Sequence, residues 1–459
     1  MPNQRKFFGT DGVRGLANRE PLTPEFTLAL GRAIGQLAFA VKFPFDASAP
    51  TIVIGKDTRI SCDLLESALA TGIVSTGCHV KLAGVLPTPA VAFLARQTGA
   101  LFGAVISASH NHFADNGIKF FTRDGFKLSD EAELLLESML PNIGNGSGLR
   151  PTGTALGRIS ILESSLEHYV QFAGSTLPKG FRLSGLKVAL DAANGAAHRT
   201  TPMILKELGA EVAAFNIAPN GVNINQNCGS TFPEEIVRRL RETSAQVGLA
   251  HDGDADRLLL CDETGEVLDG DDIMAIAAID LLEKGKLAEN TLVTTVMSNF
   301  GLNEAIKRQG GQVVRTQVGD RYVLEAMLKN GYNFGGEQSG HLIFLDYHTA
   351  GDGVISALQI LRIIQEKGKP LSELRKCLKK YPQVQRNVSI PAKPPLENLK
   401  TLQKELLEIE TQLEGQGRVL LRYSGTESKL RLLVEGPDEE LLNQYAEQLV
   451  AVALAEIAK

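Results

Sequence analysis

Short apolar runs alternate with segments of helical periodicity along most of this sequence. The runs predict buried strands, and the longer segments between them predict helices that pack on those strands. In the first 158 residues the predicted elements are a helix over 26–39, strands at 51–55, 79–83, 101–106 and 117–121, and helices at 62–74 and 89–96. This alternation is typical of an α/β unit with a largely parallel sheet.

The alternation occurs twice more. A second unit comprises 163–172, 187–191, 197–208, 211–215, 233–244 and 247–250, and a third comprises 271–283, 291–297, 303–308 and 312–316. A passage rich in Gly, Pro, Ser and Thr at 141–157 and a hairpin turn at 262–266 separate the units. Beyond Tyr381 and Pro382 the order becomes strand, helix (396–413), paired strands and helix (438–457), as in an α+β domain.

These patterns predict four domains, at residues 1–158, 159–263, 264–378 and 379–459. The fold class is α/β, with three related α/β domains that contain mixed, mostly parallel sheets, followed by the α+β domain. A chain of 459 residues is too long for a single core, which agrees with this division.

The composition limits the partners that we expect. The chain has 47 basic and 53 acidic side chains and a net charge of −6, which gives no electrostatic reason to expect nucleic acid or an anionic membrane. The five cysteines have no C-x-x-C spacing, which favours reduced thiols over disulfides or a zinc site. No apolar segment has the length of a signal-peptide core or a membrane span, so we expect a cytoplasmic chain.

A serine follows one of the buried strands. The run 101–106 stops abruptly in Ser-Ala-Ser-His-Asn, which brings the hydroxyl of Ser109 to the rim of a sheet. The alternative is a turn in which these polar side chains bond their own main chain, and this motif alone does not choose between the two. A hydrolase nucleophile is not indicated, because the G-x-S-x-G elbow is missing.

An acidic loop, HDGDADR, follows the last strand of the second unit. Asp252, Asp254 and Asp256 would repel one another by about 4 kcal/mol per pair at about 4 Å, so a divalent cation is the natural counter-ion. Oxygen ligands with positions left for phosphate or water suit Mg²⁺. An EF-hand is the closest rival, but Arg257 stands where that loop needs Gly and 258–260 continues as a strand. A solvated acidic turn without metal is the second alternative.

Glycine-rich stretches carry further candidates. Arg14 in FFGTDGVRG is a candidate anion clamp, against the alternative of a solvated surface arginine. Backbone N–H groups and Arg321 at 319–322 offer an anion site, unless Asp320 only caps a helix there. In GGEQSGH, Glu337 and Ser339 suit the vicinal hydroxyls of a sugar, although a structural turn has a similar sequence.

The last domain contains LRYSGTE, followed by Lys429 and Arg431. Two guanidinium groups, two hydroxyls and a glycine turn predict a phosphate cradle, with a surface hairpin as the alternative. The residues of this cradle are Arg422, Ser424, Gly425, Thr426 and Arg431.

Taken together, FFGTDGVRG, ISASHN, DGDADR, GEQSGH and RYSGTE, in this order from residue 7 to 427, resemble the motifs of the α-D-phosphohexomutase superfamily. The resemblance implies four domains around a central cleft and an isomerase that moves a phosphoryl group between two hydroxyls of a hexose phosphate. The first and fourth motifs are more similar to the glucosamine branch than to the glucose and mannose branches. One departure is His112, where the superfamily usually has proline, which puts the stiffness of the Ser109 loop in doubt.

The resemblance also implies roles for individual residues. Ser109 would be the phosphorylated serine, and its phosphate would share Mg²⁺ with Asp252, Asp254 and Asp256. Glu337 and Ser339 would hold the sugar hydroxyls, and the cradle of the last domain would hold the phosphate that is not reacting. The reacting centre would be lined by Arg14, His110, Lys119, Arg257 and His341.

The implied reaction interconverts glucosamine 6-phosphate and glucosamine 1-phosphate through a 1,6-bisphosphate and supplies UDP-N-acetylglucosamine synthesis. Lys119 and His110 are both candidates for the general acid or base. The expected partner is a small phosphosugar, with no nucleic acid and no membrane, and the chain is expected to be a monomer or a homodimer. The alternatives are a mutase for glucose or mannose phosphates, a magnesium-dependent phosphatase, and a cation or sugar-phosphate binding protein without turnover.

Overall fold

The computed structural model describes residues 5–9, 11–41, 49–143, 148–413, 415–424 and 428–457, with the side chains of 141–143 left aside. Within these residues the strands form four sheets. The first sheet has the order β1-β2-β6-β5-β3-β4-β7. Its strands are β1 (Phe8–Gly9), β2 (Gly12–Leu16), β3 (Thr51–Lys56), β4 (His79–Val85), β5 (Phe102–Ile106), β6 (Asp115–Thr122) and β7 (Ile159–Ile161).

The helices that cover the first sheet are α1 (Pro24–Ala40), α2 (Cys62–Val74), α3 (Thr88–Thr98) and α4 (Asp130–Ile143). Helix α1 begins two residues before the predicted start, because the side chain of Thr23 accepts the N–H of Phe26 at 3.2 Å and Pro24 takes the first helical position. Strands β4, β3 and β5 pair in parallel, whereas β6 and β2 return antiparallel.

The second sheet repeats this plan with the order β12-β11-β10-β8-β9. Strand β8 pairs in parallel with both neighbours, and β11 returns antiparallel beside β10. The elements are α5 (Ser165–Ser175), β8 (Lys187–Asp191), α6 (Thr200–Glu207), β9 (Glu211–Phe215), α7 (Pro233–Thr243), β10 (Val247–His251), β11 (Leu258–Asp262) and β12 (Val267–Leu268).

The third sheet has the order β14-β13-β15-β16 and the same change of direction, because β15 is parallel to β13 and antiparallel to β16. The buried helix α11 begins at a cap in which Asp352 accepts the N–H groups of Val354 and Ile355. The elements are α8 (Gly270–Glu283), β13 (Thr291–Thr295), α9 (Phe300–Arg308), β14 (Gln312–Thr316), α10 (Asp320–Asn330), β15 (Phe334–Gly336), β16 (Leu342–Phe344), α11 (Gly353–Lys367) and α12 (Leu371–Leu374).

The last domain is an antiparallel sheet of order β17-β19-β18 with two helices. Its elements are β17 (Gln383–Ser389), α13 (Lys400–Gln412), β18 (Arg418–Tyr423), β19 (Lys429–Glu435) and α14 (Glu439–Ile457). The domain has its own apolar core. One core runs through the first three domains, and the first domain has a second core of its own. It joins the third domain through Glu435, which accepts the N–H of Phe300 at 2.7 Å, and through Arg418, which donates to the carbonyl of Ser298 at 2.6 Å.

The predicted alternation of elements is present, with ends displaced by a few residues. The elements additional to the prediction are β1, β2, α4, β7, β12, β15, β16, α11 and α12. The boundaries at 158, 263 and 378 stay predictions; β7 pairs with β4 and β12 with β11, so each completes the sheet that precedes it. Among the described residues, none of the helices combines the length and apolar character that a bilayer crossing requires.

Candidate active site

Three loops occupy equivalent places in the first three domains. In each sheet a strand of the parallel part runs into a loop and returns as an antiparallel partner, from β5 to β6, from β10 to β11 and from β15 to β16. These loops carry Ser109, the aspartate trio and Glu337. Backbone hydrogen bonds join the second and third loops. The N–H of Leu258 donates to the carbonyl of Gly340 at 3.0 Å, and Arg257 and His341 form an isolated antiparallel β-bridge.

Ser109 is buried, with 1% of its surface exposed, and its backbone adopts a left-handed conformation with φ +51°. Such a conformation is uncommon for a residue with a Cβ and is found where a site fixes the backbone. The hydroxyl donates to Oδ2 of Asp252 at 2.5 Å. Nδ1 of His110 lies 3.4 Å from the same hydroxyl oxygen. The serine and the acidic loop therefore lie within hydrogen-bonding distance of each other.

The aspartate trio consists of Asp252, Asp254 and Asp256, whose carboxylate oxygens lie within 4.8 Å of one another. All three side chains are buried, and one oxygen each of Asp254 and Asp256 has no hydrogen-bond partner among the described residues. Burial and the charges of Asp256 and Asp254 raise the pKa of Asp252 well above its usual range. Buried carboxylate oxygens without donors, beside the serine hydroxyl, fit a hard divalent cation such as Mg²⁺. The flanking β10 and β11 are strands, which excludes the EF-hand.

Lys119 brings a positive charge to the trio. Its Nζ lies 2.9 Å from Oδ2 of Asp254 and 3.7 Å from Oδ2 of Asp256, with 3% of the side chain exposed. Burial alone would lower the pKa of Lys119, but the charges of Asp11 and Asp254 outweigh it and raise the pKa above its usual value. The amine is therefore held as a cation beside the trio.

Arg14, Arg257 and His341 lie around the same trio. Arg14 is paired with Asp11, which lies beside Lys119, and its Nη1 is 3.5 Å from the carbonyl of Ala108. Nε of Arg257 is 3.9 Å from Oδ1 of Asp256. Nδ1 of His341 is 3.5 Å from Oδ2 of Asp256, and although burial opposes it, this carboxylate raises the pKa of His341 to about 9.

The sugar-binding candidates lie on the third loop. One carboxylate oxygen of Glu337 accepts the N–H of Gly319 at 3.1 Å, and burial raises the pKa of this side chain. Ser339 is exposed. Arg321, the other candidate nearby, donates to the carbonyl of Leu128 and to Glu133, each at 3.1 Å. Its guanidinium therefore joins the third domain to the first. These contacts do not form an anion site at 319–322.

The cradle candidates belong to a separate pocket. Arg422 and Arg431 are direct cross-strand partners on β18 and β19. Both line a cavity of about 270 Å³, which is also lined by Met297 of the third domain. Burial and the charge of Arg431 lower the pKa of Arg422, and a bound anion would relieve this repulsion. Ser424 is buried beside this pocket, while Gly425 and Thr426 lie outside the described residues.

Sequence reasoning missed residues that hold the serine loop. Arg59 donates to the carbonyls of Ser109 and Asn111 at 2.9 Å and of His112 at 2.5 Å, and Asp57 fixes its Nε at 2.8 Å. This arginine answers the doubt over loop stiffness that His112 raised. A signal was present, because KDTR directly follows β3, the parallel neighbour of β5. Thr88 was also missed, and its hydroxyl donates to Asp254 at 2.6 Å.

Family models match all four domains of the chain. They are described as phosphoglucomutase/phosphomannomutase alpha/beta/alpha domains I, II and III, at residues 5–146, 167–265 and 269–381, and the C-terminal domain, at 384–452. The chain belongs to this phosphohexomutase family. The resemblance found in the motifs is thereby confirmed, together with the fold class and the class of enzyme, an isomerase of the mutase type.

Individual phosphohexomutases are similar over nearly the whole chain. The phosphoglucosamine mutase of Geobacter sp. (strain M21) is 51% identical over 98% of this chain and 97% of its own. A solved phosphoglucomutase/phosphomannomutase family protein from Burkholderia thailandensis superposes with a TM-score of 0.81 at 22% identity, over 99% of this chain and 98% of that one. The N-acetylphosphoglucosamine mutase of Aspergillus fumigatus, solved in complex with GlcNAc-6P and magnesium, has a TM-score of 0.65 at 17% identity, over 99% and 97%.

Proposed function

We propose that this phosphohexomutase interconverts glucosamine 6-phosphate and glucosamine 1-phosphate, using a phosphate carried by Ser109. The observation that carries the proposal is the 2.5 Å contact between the serine hydroxyl and Asp252, within a trio of buried carboxylates. The similarity to phosphoglucosamine mutases at about half identity supports the choice of sugar. Residues of the trio would hold Mg²⁺, which supplies charge neutralisation for phosphoryl transfer when it is bound.

The reaction then consists of two transfers. In the first, the bond between phosphorus and Oγ of Ser109 breaks and a bond to O1 of glucosamine 6-phosphate forms, while O1 loses its proton and Oγ takes one up. The 1,6-bisphosphate then reverses its orientation in the site. In the second transfer, the phosphoryl group on O6 moves to Oγ of Ser109, which loses its proton, while O6 takes up a proton and glucosamine 1-phosphate is formed. Phosphoryl transfer needs positioning and charge more than covalent assistance, which suits a serine surrounded by Lys119, Arg14 and Arg257.

Two side chains lie where a proton carrier is needed. His110 is within 3.4 Å of the serine hydroxyl, and Lys119 reaches the trio on the other side. On the proposed reading, Glu337 holds the sugar between them, and Arg422 and Arg431 hold the phosphate that is not reacting. A separate phosphate pocket is necessary, because either end of the sugar must be able to face Ser109.

The test is to follow glucosamine 6-phosphate by ³¹P NMR with Mg²⁺ and a trace of the sugar bisphosphate as activator. We expect glucosamine 1-phosphate to appear, Ser109 to carry one phosphate by intact mass and peptide mapping, and Ser109→Ala to lower turnover by at least about 10⁴-fold. Ser175→Ala, at the exposed end of α5, is the control. Release of inorganic phosphate would indicate a phosphatase, faster turnover of glucose or mannose phosphates another mutase, and binding without turnover a binding protein.

A further inference from the structure

Six charged side chains at the reacting centre form a closed ring in which the sign of the charge alternates. Lys119 contacts Asp11 at 3.4 Å, and Lys127 contacts both Asp11 at 2.5 Å and Asp320 at 2.6 Å. Asp320 contacts Nε2 of His341 at 3.4 Å, and the ring closes through Asp256, at 3.5 Å from His341 and 3.7 Å from Lys119. Three of these residues, Asp11, Lys127 and Asp320, have no part in the reaction described above.

The ring connects three domains. Asp11, Lys119 and Lys127 belong to the first sheet and its loops, Asp256 to the acidic loop of the second domain, and Asp320 and His341 to the third domain. Within the ring, the contact between Lys127 and Asp320 is the direct link from the first domain to the third. Lys127 is thus linked to the reacting centre by its contacts with Asp11 and Asp320, and not by a contact with Ser109.

A second contact beside Lys127 strengthens this link. Arg321, the next residue on α10, donates to the carbonyl of Leu128, the next residue after Lys127, and to Glu133. The N–H of Gly319, immediately before Asp320, donates to Glu337. The beginning of α10 therefore docks on the first domain at two consecutive residues and also holds the side chain proposed to bind the sugar.

Little of the ring is exposed, with 14% of the side chain of Lys127 and 17% of that of Asp320 open to solvent. Burial alone would lower the pKa of Lys127, but the charges of Asp11 and Asp320 outweigh it and raise the pKa. Because the signs alternate, loss of one member leaves two like charges facing each other in a poorly solvated space. Loss of Lys127 leaves Asp11 opposite Asp320, across the joint between two domains.

We propose that Lys127 and Asp320 are positioning residues for the proposed mutase reaction: they hold Lys119 and His341 in register across three domains. The inference rests on the proposed function for its kinetic consequence, whereas the docking of α10 on the first domain is independent of any substrate. Neither residue is assigned a contact with the sugar or with the phosphate that is transferred.

The first experiment compares Lys127→Met, Lys127→Arg and the control Lys367→Met in steady-state kinetics with glucosamine 6-phosphate. Lys367 is a matched control because it pairs with Glu283 at the same 2.6 Å, but on an exposed surface. We expect Lys127→Met to lower kcat about 10²-fold with KM within about threefold, and Lys127→Arg to restore most of this loss because it keeps the charge. A kcat of Lys127→Met within threefold of wild type, or no rescue by arginine, overturns the proposal.

A double-mutant cycle with Asp320→Asn tests the coupling. If both residues act through their mutual contact, the decrease in kcat of the double variant is no greater than about the larger of the two single decreases. If the residues act independently, the fold-decreases of the two single variants multiply. Multiplied losses therefore also overturn the proposal.

Hydrogen exchange of the substrate-free protein separates this proposal from the proposed function. We expect peptides covering the first turn of α10 to exchange about tenfold faster in Lys127→Met than in wild type, Lys127→Arg or Lys367→Met. Unchanged exchange refutes the docking role even if kcat falls. A different outcome is that wild type does not convert glucosamine phosphates while Lys127→Met still exchanges faster. This outcome refutes the proposed function and leaves the docking in place.

Discussion

The reacting centre and the pocket of the last domain both suit phosphate, but they arrange charge in opposite ways. Around Ser109, buried carboxylates alternate with cations, and Lys119 lies within 4 Å of three aspartates. In the last domain, Arg422 and Arg431 are adjacent on neighbouring strands, and none of the described residues that line the pocket is acidic. One region holds charges of both signs in fixed places, whereas the other gathers charges of one sign.

The difference fits the roles that we propose for the two regions. A site that transfers a phosphoryl group must keep metal ligands, nucleophile and cations in one geometry, and buried opposite charges fix that geometry. A site that only binds a phosphate needs net positive charge and room for either end of the sugar. One apolar core extends through the first three domains, which supply the residues around Ser109, whereas the core of the last domain is separate from it.

The largest effect that separates the two regions is expected from Lys119→Met. Removal of this cation leaves Asp254 without its buried cationic partner, Asp256 with only His341 and Arg257, and the transferred phosphoryl without a neutralising charge, so kcat should fall on the order of 10³-fold. Steady-state kinetics with glucosamine 6-phosphate measures the loss. Lys187→Met, in the exposed pair with Glu211 at 3.0 Å, is the control. A change confined to KM would place Lys119 in substrate binding instead.

A smaller effect of a different kind is expected from Arg422→Ala. If this pocket only binds the distant phosphate, KM should rise about 10- to 100-fold while kcat changes by less than about fivefold. Arg386→Ala is the matched control, because Arg386 lies on β17 between Gln385 and Asn387, which line the pocket, and therefore points to the opposite face. A loss of kcat at unchanged KM, as expected for a residue of the reacting centre, would remove the distinction between the two regions.

The smallest effect concerns Asp352, which supports the acidic loop from behind. Tyr169 donates its hydroxyl to this carboxylate at 2.9 Å, and the N–H of Gly353 donates to the carbonyl of Ala255 at 3.1 Å. Burial raises the pKa of Asp352 to about 7. In the unfolded chain the group ionises near pH 4, so between these values the unfolded state releases a proton that the folded state keeps. The stability that this group contributes is therefore greatest below about pH 4 and is lost as the pH rises to about 7.

Asp352→Asn cannot titrate at this position. Between about pH 5 and 7, the free energy of unfolding of wild type should decline relative to that of the variant by roughly 1 kcal/mol per pH unit, while kcat stays within about threefold. Urea unfolding at several pH values measures both slopes. Parallel slopes would mean that Asp352 is ionised throughout this range in the folded protein.

Much of the site could be predicted from the sequence, for reasons that differ between residues. Ser109 and the trio lie on loops directly after apolar runs. The apolar run predicts the strand, and the polar residues that follow it indicate the nucleophile or the metal ligands. Asp11, Lys127 and Asp320 have no such local pattern. Their roles depend on partners more than 40 positions away, such as the 193 positions that separate Lys127 from Asp320.

By itself the sequence determined the alternation of most strands and helices, the presence of three similar units before a different one, and the short motifs that carry reactive side chains. These properties depend on neighbouring residues and on the periods of strand and helix. Only the tertiary structure decided that the three loops lie at equivalent strand ends, that Lys127 contacts both Asp11 and Asp320, and that Met297 helps to line the pocket of the last domain. Such contacts arise when separate sheets pack against one another, and a charged side chain acquires its partner only through that packing.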